Sequence, residues 1–199
     1  MSMNAIGSEG ASGLGAFLPM QRIRTGASFL SLRGSRVSDS DVQTLTQAMQ
    51  GDHCRVSQLD LSQNELSSAG VEKLRSVLGH DSIIERLWLG GNKLHDTGAT
   101  RLAEVLQGNE SLVALDVSSN QLGPDGCLRI AHALMYNPML RELDLSDNQL
   151  GDEASGEISR YLGRLRNLQV VNVASCGLSA AGVLGFMAAL QENGTLVRC

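Results

Sequence analysis

The sequence predicts an α/β solenoid: a curved horseshoe arc of about six repeats, with a parallel β-sheet on its concave face and helices on its convex face. Three observations predict it. The chain repeats itself every 28 residues, reading LDLSQNEL (59–66), LWLGGNKL (87–94), LDVSSNQL (115–122), LDLSDNQL (143–150) and VNVASCGL (171–178). Asn64, Asn92, Asn120 and Asn148 fall in register, with Cys176 in the fifth slot. Within each repeat the apolar spacing changes from two to that of a helix. A unit of this kind cannot bury its own apolar face, so it stacks on its neighbours.

The first unit is divergent, as a terminal repeat is expected to be. Leu30, Leu32, Ser35 and Val37 take the strand and turn positions and Val42, Leu45 and Met49 the helix, 29 residues ahead of the next unit. In the second unit Leu59 and Leu61 alternate with polar residues, which reads as a short strand with one buried face. Leu66 closes a polar turn, and Val71, Leu74, Val77 and Leu78 then recur at helical spacing. Ala99, Leu102, Val105 and Leu106 repeat that stripe, as do Cys127, Ile130, Ala133 and Leu134. A glycine recurs at 70, 98, 126 and 182, with Ala154 and Asp41 standing in for it elsewhere. It reads as a tight turn with little room for a side chain. The asparagine amide donates and accepts, so it can satisfy backbone groups of its own and neighbouring coils. Cys176 in that slot reads as a structural cysteine doing the same more weakly.

The wording L-x-x-L-x-L-x-x-N/C-x-L resembles the leucine-rich repeat. With 28-residue units and a glycine before a helical second half, the chain resembles the ribonuclease-inhibitor-like class. That class includes the repeat regions of NOD-like receptors, tropomodulin and the Ran GTPase-activating protein. The resemblance covers most of the chain and implies the fold; it says little of function, because one solenoid hosts unrelated activities. It implies one repeat domain over residues 27–199.

Residues 1–26 differ in kind, being rich in glycine and serine but interrupted by Phe17, Leu18, Met20 and Ile23. They read either as a cap over the first strand edge or as an arm held by a partner. Arg22, Arg24, Arg33 and Arg36 give a further reading, a mitochondrial transit peptide over 20–38, although those residues also build the first repeat. At the other end the helix 183–190 places Val183, Phe186, Ala189 and Leu190 at core positions and adds Leu184, Met187 and Ala188 outside them. A helix apolar all round is normally buried, and solenoid ends generally carry a polar cap. Another chain is therefore expected over Leu184 and Met187, the alternative being cover by the tail Thr195–Cys199.

Composition narrows the function classes. A net charge of −5 gives no basic footprint for direct nucleic-acid readout. No apolar run approaches the roughly 20 residues of a membrane-spanning helix. Cys54, Cys127, Cys176 and Cys199 show neither paired nor metal-like spacing, which reads as a reduced, intracellular protein without metal or cofactor. In that setting the sequons at Asn109 and Asn193 read as coincidental. His53, His80, His95 and His132 have no repeated partner, Cys127 and His132 sit on different faces of one helix, and LGGNK (89–93) lacks P-loop spacing. The chain reads as no enzyme.

The candidate site is the concave face, lined by residues that alternate with the core leucines. Ser31, Asp60, Trp88, Asp116, Asp144 and Asn172 form its central row. Gln58, Arg86, Ala114, Glu142 and Val170 flank it on one side and Ser62, Ser118 and Ser146 on the other. The aspartates are the ordinary wording of the repeat, whereas Trp88 breaks it, and an aromatic among charges is a favoured binding anchor. The partner-binding set is thus Asp60, Arg86, Trp88, Asp116, Glu142 and Asp144, with Leu184 and Met187 at the C-terminal edge. The expected function is a non-catalytic scaffold subunit of a larger cytoplasmic assembly with other proteins, cytoskeletal, ciliary or ribonucleoprotein. The alternative is a regulator of a small GTPase resembling the Ran GTPase-activating protein, for which no water-orienting group can be assigned.

Overall fold

A computed structural model describes residues 29–50, 54–191 and 193–195. The proposed arm and transit segment lie wholly or largely outside them, as does the tail beyond Thr195. Strands and helices alternate: β1 (Phe29–Ser31), α1 (Asp39–Met49), β2 (Gln58–Asp60), α2 (Ser68–Leu78), β3 (Arg86–Trp88), α3 (His95–Leu106), β4 (Ala114–Asp116), α4 (Pro124–Leu134), β5 (Glu142–Asp144), α5 (Gly151–Gly163), β6 (Val170–Asn172) and α6 (Ala180–Leu190). The strands form one six-stranded sheet in sequence order, every neighbour parallel. Leu30, Leu59, Leu87, Leu115, Leu143 and Val171 stand in one register row. The step from the first strand to the second is 29 residues and each later step 28, as the sequence spacing predicts.

Leu59, Leu61, Leu66, Leu74, Leu87, Leu89, Leu94 and Leu102 are fully buried between sheet and helices. Each contributes roughly 1.5–3 kcal/mol of apolar burial. The asparagine ladder crosses from coil to coil: Asn64 Nδ2 donates to Leu32 O at 2.9 Å, and its Oδ1 accepts from the Ser35 and Val37 amides at 3.0 Å. Asn148 does the same between Val117 O and the amides of Asn120 and Leu122.

Asn120 differs. Its Nδ2 donates to Leu89 O at 2.9 Å, yet its buried Oδ1 has no partner. The coil beneath explains this, because Leu94 is already helical at φ −71° and ψ −40° where an amide would otherwise be presented. Cys176 overlies the same geometry at Leu150, φ −65° and ψ −47°, and its thiol donates to Leu145 O at 3.2 Å. The thiol thus keeps the donor role of that slot.

A second ladder escaped the sequence reading. Asn109 Nδ2 donates to Leu78 O at 2.8 Å and Oδ1 accepts from the Leu112 amide at 2.8 Å, one end of the coil away from the first ladder. Asn137 repeats it onto Asn109 O, and Asn193 onto Leu165 O. Both sequon asparagines therefore have their amides engaged in coil-to-coil bonds.

Two readings need correction. The recurrent glycines are not turn residues: they sit in the first helical turn, where the preceding coil presses on Gly70, Gly126 and Gly182 and the same coil's Leu94 on Gly98. A Cβ at Gly126 would lie 2.4 Å from Asp96 Oδ1 and 3.1 Å from the Ala99 Cβ. The aspartates responsible cap the next helix. Asp39 accepts from the Ser67 amide, Asp96 from those of Gly123 and Gly126, and Asp152 from that of Ser179. Coils built over Ser68 or Pro124 lack this cap and begin their helices instead at a left-handed residue, His95 (φ 51°) or Gly151 (φ 68°). The second correction concerns Val183, which is 45% exposed although it shares the slot of fully buried Val71, Ala99 and Cys127. In those coils the next coil covers the slot, and no described coil packs beyond α6.

Candidate functional site

The pleat puts the alternate strand residues on the concave face, and all six central residues are partly exposed there. Trp88 stands between Asp60 and Asp116 in register. Its ring meets that of Phe29 edge to face, with centroids 5.9 Å apart at 86°. Phe29 was missed by sequence reasoning; it is 53% exposed, and only its register with Gln58 and Arg86 places it on this face. Its signal was a bulky aromatic at the flanking position of a divergent first repeat.

Arg86 reaches past Ala114 to Glu142 in a two-pronged pair, with Nη1 to Oε2 at 3.0 Å and Nη2 to Oε1 at 3.1 Å. The aspartates serve their own turns. Asp60, Asp116 and Asp144 each offer Oδ1 to the backbone amide two residues on, at Ser62, Ser118 and Ser146, in every case at 2.9 Å. This is a structural reason for the aspartate in the repeat wording. Ser62 and Ser146, expected to line the face, are buried at its rim. Between Trp88 and Asn172 lies a shallow hollow of about 170 Å³, lined also by Ala114, Asp116, Glu142 and Asp144. The structure thus brings Trp88, Asp116, Glu142 and Asp144 together, ties Arg86 to them, and sets Asp60 on the far side of Trp88.

The C-terminal edge is a separate surface. Leu184 is 72% exposed and Met187 41%, while Phe186 and Leu190 turn inward and are buried. With Val183 they form an apolar strip on a helix without a charged residue.

No cluster of three or more His, Cys, Asp or Glu side chains suited to a metal occurs among the described residues. No described helix is long and apolar enough to cross a membrane. Burial pushes the Cys127 thiol up to about 12, which leaves it protonated and inert. His132 packs edge-on against Tyr136 and Tyr161 on the convex side, away from the concave hollow.

A family model described as a leucine rich repeat matches residues 56–74, 108–131 and 136–154. Among solved structures, the C-terminal domain of tropomodulin from Caenorhabditis elegans is similar at 17% identity and a TM-score of 0.55, over 89% of this chain and 91% of that one. The leiomodin-1 actin-binding site 2 is similar at 18% identity and a TM-score of 0.52, over 88% and 87% respectively. Both likenesses are of fold. No curated protein matches the chain in sequence.

Proposed function

Because the chain is a leucine-rich-repeat solenoid of the ribonuclease-inhibitor-like type, we propose that it is a non-catalytic protein-binding module, held as a scaffold subunit in a larger assembly. Residues 27–199 act as one interaction domain. The observation that carries this reading is Trp88, a partly exposed indole on an interior strand of the sheet, flanked by carboxylates and braced by Phe29. Rigid aromatic anchors amid charge are where binding energy concentrates. The apolar strip of Leu184 and Met187 supplies a second contact for the same assembly.

The leiomodin-1 domain is an actin-binding site, which makes the actin cytoskeleton the first assembly to try and the cytoplasm the expected setting. The experiment is native mass measurement and co-purification from source cells, followed by co-sedimentation with filamentous actin. A stable hetero-complex that loosens with Trp88→Ala supports the module. A chain recovered alone, or one that stimulates GTP turnover by a small GTPase, overturns it.

A further inference from the structure

The three concave aspartates are not equivalent. Asp60 and Asp144 have both carboxylate oxygens occupied: beyond the turn amides, Asp60 Oδ2 accepts from the Ser31 hydroxyl at 3.1 Å and Asp144 Oδ2 from Asn172 Nδ2 at 2.9 Å. Asp116 Oδ1 serves the Ser118 amide, but no described residue donates to its Oδ2. Both oxygens of this carboxylate lie over Gly90, two residues beyond β3, since a Cβ there would stand 2.9 Å from Oδ2 and 3.0 Å from Oδ1. Gly90 is therefore what lets the carboxylate lean beside Trp88, its register partner.

Phe29 braces Trp88 from the β1 side, and the hollow opens on the opposite side, toward β4 to β6. Arg86, the cation that reaches Glu142, is held by both its oxygens. The hollow thus joins an aromatic wall, an unpaired carboxylate oxygen and an uncompensated negative charge. A planar cation that stacks on an indole and donates to a carboxylate meets all three, and a guanidinium is that group.

Resting on the concave-face reading above, we propose that the hollow between Trp88 and Asp116 receives an arginine side chain from a basic segment of the partner protein. The guanidinium lies against the indole and donates to Asp116 Oδ2. Asp144 adds long-range attraction without giving up its own bonds.

Trp88 is the single tryptophan of the chain, so its emission reports the site directly. The test titrates the full chain with a short capped glycine–arginine peptide, and with the same peptide carrying citrulline in place of arginine. A saturable emission change with the arginine peptide is expected, weaker in high salt and absent with citrulline. Asp116→Asn keeps an oxygen for the Ser118 amide but removes the charge, and should bind about tenfold less tightly. Gly90→Ala, whose methyl group would press on Ser118 Oγ and on both Asp116 oxygens, should also weaken binding of the arginine peptide. No saturable change, an equal response to citrulline, or unaltered binding by a folded Asp116→Asn overturns the arginine site. If Asp116→Asn still joins its native assembly as the parent does, the module stands and the arginine site falls; a chain that joins no assembly removes the module itself.

Discussion

Arg86 and Glu142 are two repeats apart in sequence and joined by two parallel hydrogen bonds across the buried Ala114. The small side chain of the intervening strand is what allows the contact. Both groups are a third or more exposed, so solvent screens the pair despite its good geometry.

A double-mutant cycle of Arg86→Ala and Glu142→Ala should return a coupling of about 0.5–1 kcal/mol, falling as salt rises. Denaturant melts at low and high salt measure it. A coupling that ignores salt would mean that the pair acts through packing over Ala114 instead.

Trp88→Ala should leave the melting temperature nearly unchanged, because the indole points away from the leucine core. Truncation of a binding anchor commonly costs about 2 kcal/mol or more of affinity. Unfolding of the variant, or undiminished complex formation, would refute the assignment.

Asn148 and Asn120 should respond differently to cysteine. Asn148→Cys strips the acceptor from the Asn120 and Leu122 amides, each of which costs about 1–3 kcal/mol when left unpaired in the interior. Asn120→Cys loses an oxygen that has no partner and the bond from Nδ2 to Ser118 O, while its thiol can still reach Leu89 O as Cys176 reaches Leu145 O. Chemical denaturation should show the first variant clearly destabilised and the second close to the parent. Asn120→Leu, which removes the donor as well, should destabilise.

The Ser179 hydroxyl and then its amide hold the Asp152 carboxyl below the ordinary value of 3.8. A lowered native pKa means that the carboxylate stabilises the folded state above the ordinary value. That contribution disappears as pH falls through the lowered native value. The amides at the start of α6 should therefore lose protection, measured against their intrinsic exchange at each pH, as the medium becomes acid, and Asp152→Asn should show the lower protection already at neutral pH with little further acid dependence. Hydrogen exchange at Gly182 and its neighbours reads this; a pH-independent parent would exclude the cap.

Leu184→Lys together with Met187→Lys should raise the solubility of the free chain and abolish its incorporation into the assembly. Both side chains face outward, so the fold should survive. Sedimentation and co-purification decide it: a parent that is monomeric at high concentration, with a variant that still joins the complex, makes this edge ordinary surface.

The repeat period by itself determined the solenoid, the strand register and the leucine core, because stacked coils must present the same apolar positions to one another. It also placed Trp88 and the aspartates on the concave face, since strand alternation leaves no choice of side. What the sequence could not decide depends on neighbours that are remote along the chain. Local sequence makes Gly126 a turn residue, whereas the contact that requires it comes from Asp96 and Ala99 of the preceding coil. Val183 looked like core because its slot is core wherever a further coil covers it. The Arg86–Glu142 pair, the unpaired Asp116 Oδ2 and the stack of Phe29 on Trp88 arise from side chains reaching across strands, and periodicity carries no record of where a side chain reaches. The sequence thus set the scaffold through repeated local spacing, and tertiary contacts between non-equivalent residues decided the site.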